Sequence, residues 1–259
     1  MPILQGKTAI VTGASRGIGR AIAKRLASDG ALVILCARDE KLLDQTVKEI
    51  SEAGGNATSL PLDLRLAENP ARLVEHAVSI DQGIDILVNN AGATKRGHFA
   101  ELTEEDWADG FALKFFGTVR LTRAAWPHLK ASSGSVVNIA GSGGRTPGAE
   151  FTIGGSVNAA IQSFSKAMAD LGIADGVQVN VINPGLIRTD RLQKRLLALT
   201  KEKGIDLAEA ERQIVAASKA ARVGEPEDIA ALVAFLVSHE GRLLQGSMID
   251  IDAGATKTL

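Results

Sequence analysis

Seven short β-branched or aliphatic runs punctuate the chain, at Thr8–Thr12, Leu32–Ala37, Ala57–Pro61, Ile84–Asn89, Ser135–Ile139, Gln178–Ile182 and Ser247–Ile251. The runs at Thr8, Leu32, Ile84 and Val136 are apolar nearly throughout instead of alternating, which is how strands buried on both faces of a parallel sheet read. Such a sheet needs helices on both sides. The segments between the runs supply them: Ile18–Ser28, Glu40–Ala53, Asn69–Ser79, Thr103–Leu129, Ser156–Leu171, a broken helical stretch from Arg191 to Ala221, and Pro226–Val237. The last opens Pro-Glu-Asp, a first-turn proline followed by acids, as a helix start should. Alternation of strand and helix predicts a three-layer, doubly wound α/β fold with right-handed crossovers. A length of 259 residues fits one such unit, and no repeat, low-complexity tract or Pro- or Ser-rich linker divides it.

Directly after the first run comes Thr12-Gly13-Ala14-Ser15-Arg16-Gly17-Ile18-Gly19, and then a helix. Glycines at 13, 17 and 19 allow a tight turn, close approach of backbone to a pyrophosphate and close helix–strand packing, while the helix N-terminus offers free N–H groups to the anion. The position of the motif, at the strand–helix junction of the first βαβ unit, gives it that meaning. At the end of the second run, where an Asp or Glu would bind the 2′-hydroxyl of NAD, stands Cys36-Ala37-Arg38. Arg38 with Arg16 suits a 2′-phosphate, so NADP(H) is preferred. In the other reading Arg38 is a solvated helix-start residue, Asp39 holds the ribose, and NAD(H) is the cofactor.

Composition narrows the partners. Twenty-nine basic against thirty acidic residues, a net charge of −1, gives no electrostatic case for nucleic acid or an anionic membrane. The single cysteine, Cys36, cannot pair within the chain. With no charged leader before an apolar segment and no apolar stretch of about 18 residues, the reading is a cytoplasmic protein in a reducing compartment. Seven Phe and two Trp are present, but no Tyr.

Taken together the motifs resemble the short-chain dehydrogenase/reductase family over nearly the whole chain. Gly13, Gly17 and Gly19 are similar to its nucleotide fingerprint, with Ser15, Arg16 and Ile18 in the same turn; Asp63-Leu64 resembles its adenine contact; Asn89-Asn90-Ala91-Gly92 resembles its strand-four motif. Asn183-Pro184-Gly185, with Ile187 and Thr189, is similar to the segment holding the nicotinamide carboxamide. The resemblance implies a Rossmann fold with a seven-stranded parallel sheet in the order 3-2-1-4-5-6-7. It also implies hydride transfer on a small-molecule carbonyl or alcohol, no metal, and a homotetramer or homodimer whose face uses Thr103–Leu129 and Ser156–Leu171. The unit spans 1–259, with a substrate lid at about 186–223.

The family's chemistry rests on a Tyr-xxx-Lys pair, a Ser and an Asn. Matching the segments puts the Tyr position at Gly154, the Lys position at Asn158, the Ser position at Gly141 beside Ser142, and the Asn position at Lys114. None of the four residues is present, and no tyrosine exists to be realigned. Leu113-Lys114-Phe-Phe-Gly117 and Gly155-Ser156-Val-Asn158-Ala-Ala160 resemble a less common subgroup; there a tyrosine stands near the Phe151 position, and here it is lacking.

Lys and Asn therefore exchange places. The expectation is that Lys114 brings positive charge to the cofactor ribose and substrate oxygen, with Asn158 as its hydrogen-bond partner; a desolvated lysine can also serve as acid or base. The plainer reading is a space-filling or surface-paired lysine. Ser142 would orient substrate, and Ser156 would cap its helix or touch the ribose. His98 stands on a loop suited to proton transfer or simply to solvent. Lys95, Arg96 and the cation-rich lid could attract an acidic substrate, or be solvated. A dinucleotide-binding pseudoenzyme without turnover is the alternative function.

Overall fold

In the computed structural model, residues 3–81 and 83–257 are described; the two ends of the 1–259 unit lie outside them. Seven parallel strands form one sheet in the order β3-β2-β1-β4-β5-β6-β7. They are β1 (Thr8–Thr12), β2 (Leu32–Ala37), β3 (Asn56–Pro61), β4 (Ile86–Asn89), β5 (Ser135–Ile139), β6 (Gln178–Pro184) and β7 (Met248–Ile251). The expected order holds. Every residue of β1, β4, β5 and β6 is buried, and β1 shows why. Ala9 and Val11 face a cluster built with α1 (Gly17–Ser28), α2 (Glu40–Glu52) and α9 (Pro226–Val237). Ile10 faces the opposite cluster, with α3 (Asn69–Ile80), α5 (Gly117–Ser132) and the end of α6 (Thr152–Asp175). The remaining helices are α4 (Glu104–Phe111), α7 (Asp190–Lys203) and α8 (Leu207–Ser218).

Three expectations need correcting. The stretch 103–129 is not one α-helix: five residues, Ala112–Phe116, form a π turn between α4 and α5. Periodicity could not reveal it, because apolar residues continue on both sides of the turn. The next long helix begins at Thr152 and not at Ser156, so Ser156 is an exposed second-turn residue and caps nothing. Gly154 and Gly155, in the first turn of this helix, are both buried against the preceding loop. Strand β4 starts at Ile86, two residues late, because the Asp85 carboxylate is drawn onto the Thr8 N–H at 2.9 Å.

The broken stretch after β6 is two helices. Gly204, at φ 66°, ends α7, and the Asp206 side chain caps α8 through the Glu209 N–H at 2.7 Å. Among the described residues no helix is long and apolar enough to cross a membrane. Strand order reverses between β1 and β4, which opens a crevice beyond the carboxyl ends of the strands.

Candidate active site

The glycine turn stands at that crevice. Gly13, at φ +66°, lies where a Cβ would come within 2.9 Å of Asn90 Nδ2, and a Cβ on Gly19 would overlap the Gly13 carbonyl. Both places therefore demand glycine. No side chain caps α1 and its first turn holds no acid, so its N–H groups remain open to an anion. Asn90 closes the junction from the other strand: its amide donates to the Thr12 and Gly13 carbonyls at 2.9 and 3.3 Å. Its own N–H and that of Ala91 reach Thr12 Oγ1 at 2.9 and 3.0 Å. Thr189 stands across from Gly17, its Cγ2 3.2 Å from where a Cβ there would lie, which brings the Pro184–Thr189 segment over the turn. Gly185 packs against Asp252, and Ile187 bridges to Gly224. Ser15 is buried and Arg16 pairs with Asp190 at 3.4 Å.

At the far end of β2, Arg38 extends into solvent with only a 3.9 Å approach to Asp63. Asp39 is committed elsewhere: its carboxylate accepts the Leu42 N–H at 3.1 Å and caps α2. Asp63 accepts the Arg65 N–H at 3.0 Å beside the turn, whereas the Leu64 side chain is buried in the core. Cradle, open N–H groups and a solvent-exposed guanidinium fit a dinucleotide with an additional phosphate. Cys36, behind this wall, has its thiol pushed up to about 12, chiefly by burial.

The other end of the crevice gathers Lys114, Asn158 and Ser142. Lys114 projects from the π turn, a geometry that recurs at functional sites. Its Nζ donates to Asn158 Oδ1 at 2.6 Å and to the Ala140 carbonyl at 2.7 Å. Its stem covers Gly92, where a Cβ would come within 2.7 Å of Lys114 Cδ. Burial first, and the charge of Arg191 second, pull its pKa down to about 7. Asn158 is buried in α6, and its Nδ2 lies 2.8 Å from where a Cβ on Gly141 would be. Ser142 opens the short turn Ser142–Gly144 next to it, only partly buried.

A Cβ built on Gly154 would overlap the ring of Phe151 at its Cζ. That ring occupies the space into which a side chain at position 154 would project, and it also lies against Gly143. Sequence reasoning did not find this. The signal was a bare glycine three residues after an aromatic at a helix start. Arg191, read only as one of the lid's cations, donates from Nη2 to the Gly92 carbonyl at 3.3 Å, and a supporting chain beneath α6 was missed. In that chain Gln162 donates to Asn183 at 2.9 Å, Asn183 to Asp250 at 2.9 Å, and Arg145 pairs with Asp250 at 2.6 Å. Two surmised residues do not join the site: His98 is exposed, and Lys95 is held by Asp106 at 2.7 Å.

A family model described as short chain dehydrogenase matches residues 7–199. An uncharacterized oxidoreductase of Methylorubrum extorquens is 35% identical over 255 residues, covering 98% of this chain and 99% of that protein. The 3-oxoacyl-[acyl-carrier-protein] reductase of Haemophilus influenzae is 34% identical over 252 residues, covering 97% and 98%. Among solved structures, L-sorbose reductase from Gluconobacter frateurii complexed with NADPH and L-sorbose superposes with a TM-score of 0.95 at 33% identity, over 100% of both chains.

Proposed function

This chain belongs to the short-chain dehydrogenase family, and from that premise we propose an NADP(H)-dependent oxidoreductase for a carbonyl or alcohol substrate, with Lys114 in the proton-transferring role. The observation that carries the reading is the Lys114 ammonium, held between Asn158 Oδ1 and the Ala140 carbonyl at the substrate end of the crevice. NADPH bound there supplies hydride to a carbonyl carbon, or its oxidised form takes hydride from an alcohol. Its adenosine end would be held by Gly13, Ser15, Arg16, Gly17, Ile18 and Gly19, with Asp63-Leu64 beside the adenine. The segments Asn90-Ala91-Gly92 and Pro184-Gly185-Ile187-Thr189 would border the nicotinamide end. Arg38 selects the 2′-phosphate, because Asp39 is spent on capping, and the NADPH in the sorbose reductase complex agrees with that preference. NAD(H) would bind more weakly.

In reduction, negative charge develops on the substrate oxygen, and Lys114 donates a proton to it, becoming a neutral amine that solvent reprotonates. In oxidation the neutral amine removes the alcohol proton. Asn158 holds the nitrogen in place throughout, and Ser142 orients the oxygen. Phe151 fills the space over Gly154 without offering any proton, so the acid–base group is atypical for the family. Residues 186–223, with α7 and α8, act as the substrate lid, and the protein works as a homodimer or homotetramer.

The test measures NADPH and NADH binding by titration, then NADPH oxidation across a carbonyl panel for the wild type and Lys114→Ala. We expect tighter NADPH binding and turnover lowered at least about tenfold in the variant, the lower part of the range for general acid catalysis. Turnover unaffected by the substitution removes Lys114 from the mechanism. NADPH binding with no turnover on any compound makes the protein a nucleotide-binding pseudoenzyme.

A further inference from the structure

Most cations near the crevice are neutralised. Arg16 pairs with Asp190, Lys95 with Asp106, Arg145 with Asp250, and Arg188 with both Glu211 and Glu225. Three guanidiniums at the substrate end are different. Arg96 lies 4.0 Å over the centroid of the Phe151 ring, and no ion pair to a carboxylate joins it among the described residues. Arg191 spends one N–H on the Gly92 carbonyl, at 3.3 Å, directly behind the Lys114 stem. Arg195 follows one turn later on the same helix.

The three are within electrostatic reach of one another. Partial burial first, and then Arg195 and Arg191, hold the Arg96 guanidinium below its ordinary range, against the single opposing carboxylate of Glu150. None of the three makes an ion pair among the described residues. Gathering like charges at one end of the crevice costs free energy that a bound anion recovers, and the focused potential draws anions in. The cofactor's phosphates do not fill this role. Their cradle is the glycine turn with Arg16 and Arg38, whereas Arg96 stands on Phe151, the ring that walls the Gly154 side beside Lys114.

Resting on the function proposed above, we infer that the substrate is an anionic carbonyl compound, whose carboxylate or phosphate is received by Arg96, Arg191 and Arg195 while its carbonyl oxygen meets Lys114. Guanidinium forks suit both anions through paired N–H donors. Phe151 then has two uses, as an apolar wall for the substrate's carbon skeleton and as the platform that aims Arg96.

The protein loaded with NADPH is titrated calorimetrically with straight-chain oxo acids against their methyl esters, and with dihydroxyacetone phosphate against dihydroxyacetone. The charged member of at least one pair is expected to bind at least about tenfold tighter, as charge-assisted contacts warrant. Arg96→Gln and Arg195→Gln should each shrink that preference severalfold, Arg96→Lys should keep most of it, and NADPH affinity should not move in any of them. Preference confined to the acids identifies a carboxylate, and preference confined to the phosphate ester identifies a phosphate; either supports the inference. Equal binding of charged and neutral members, no binding by any of them, or a preference unmoved in both Gln variants overturns it while leaving the dinucleotide reading intact. Failure of the wild type to bind NADPH overturns both.

Discussion

In the proposed mechanism Lys114 is the residue on which the chemistry turns, and its position gives the pH dependence a sign. With the ammonium–amine midpoint drawn down to about 7 by burial, reduction, which needs the ammonium, should weaken as pH rises through that value. Oxidation, which needs the free amine, should strengthen over the same interval. Profiles of kcat/KM in both directions check this, and two profiles that move together argue against one shared group. Folding stability should follow the same titration. The ordinary value of 10.5 lies above the folded one, so the unfolded chain binds more protons between them and stability rises with pH across that window. Urea denaturation at several pH values should show this rise in the wild type and not in Lys114→Met. The exchange of Lys and Asn is what the family resemblance implied, and the structure brings the two side chains into contact at 2.6 Å. The Phe151 ring over Gly154 was not legible in the sequence, since an absent side chain gives no sign of what takes its room.

Among the elements, the π turn Ala112–Phe116 decides where Lys114 points. One residue more than a regular turn changes the helical phase, and each residue of an α-helix rotates by about 100°. Deleting Ala112 should convert the segment to continuous α-helix and swing the amine away from Asn158. The expected outcome is at least a tenfold loss of turnover, at the low end for a lost general acid, with NADPH binding and helical content by circular dichroism preserved. Preserved turnover would show that the turn does not aim the amine. The strands were readable because burial on both faces leaves a continuous apolar run. The π turn and the early start of α6 were not, because both depend on packing partners distant in sequence. Asn158 needs the space above Gly141, and Gly155 lies 3.1 Å, measured from a Cβ built on it, from the Gly143 carbonyl.

For the molecule as a whole, the α/β class followed from strand–helix alternation and the strand order from the family resemblance, but its surfaces did not. Phe116 is 45% exposed at the junction of the π turn and α5, on the face expected to join subunits. Light scattering should report a homodimer or homotetramer, and Phe116→Asp should shift it towards monomer; a monomeric wild type would contradict the assembly. The packing of α1 on α9 has a consequence for how the protein is made. Ile22, Ala23 and Leu26 of the first helix share a cluster with Ile229, Ala230 and Val233 of the last one. A chain leaves the ribosome from its N-terminus, so α1 emerges well before α9, and the part of its apolar face that α9 covers waits for the segments between them to be made. The newborn protein carries that face of its first helix without its last partner until α9 is made, a long interval of exposure to chaperones and to other nascent chains.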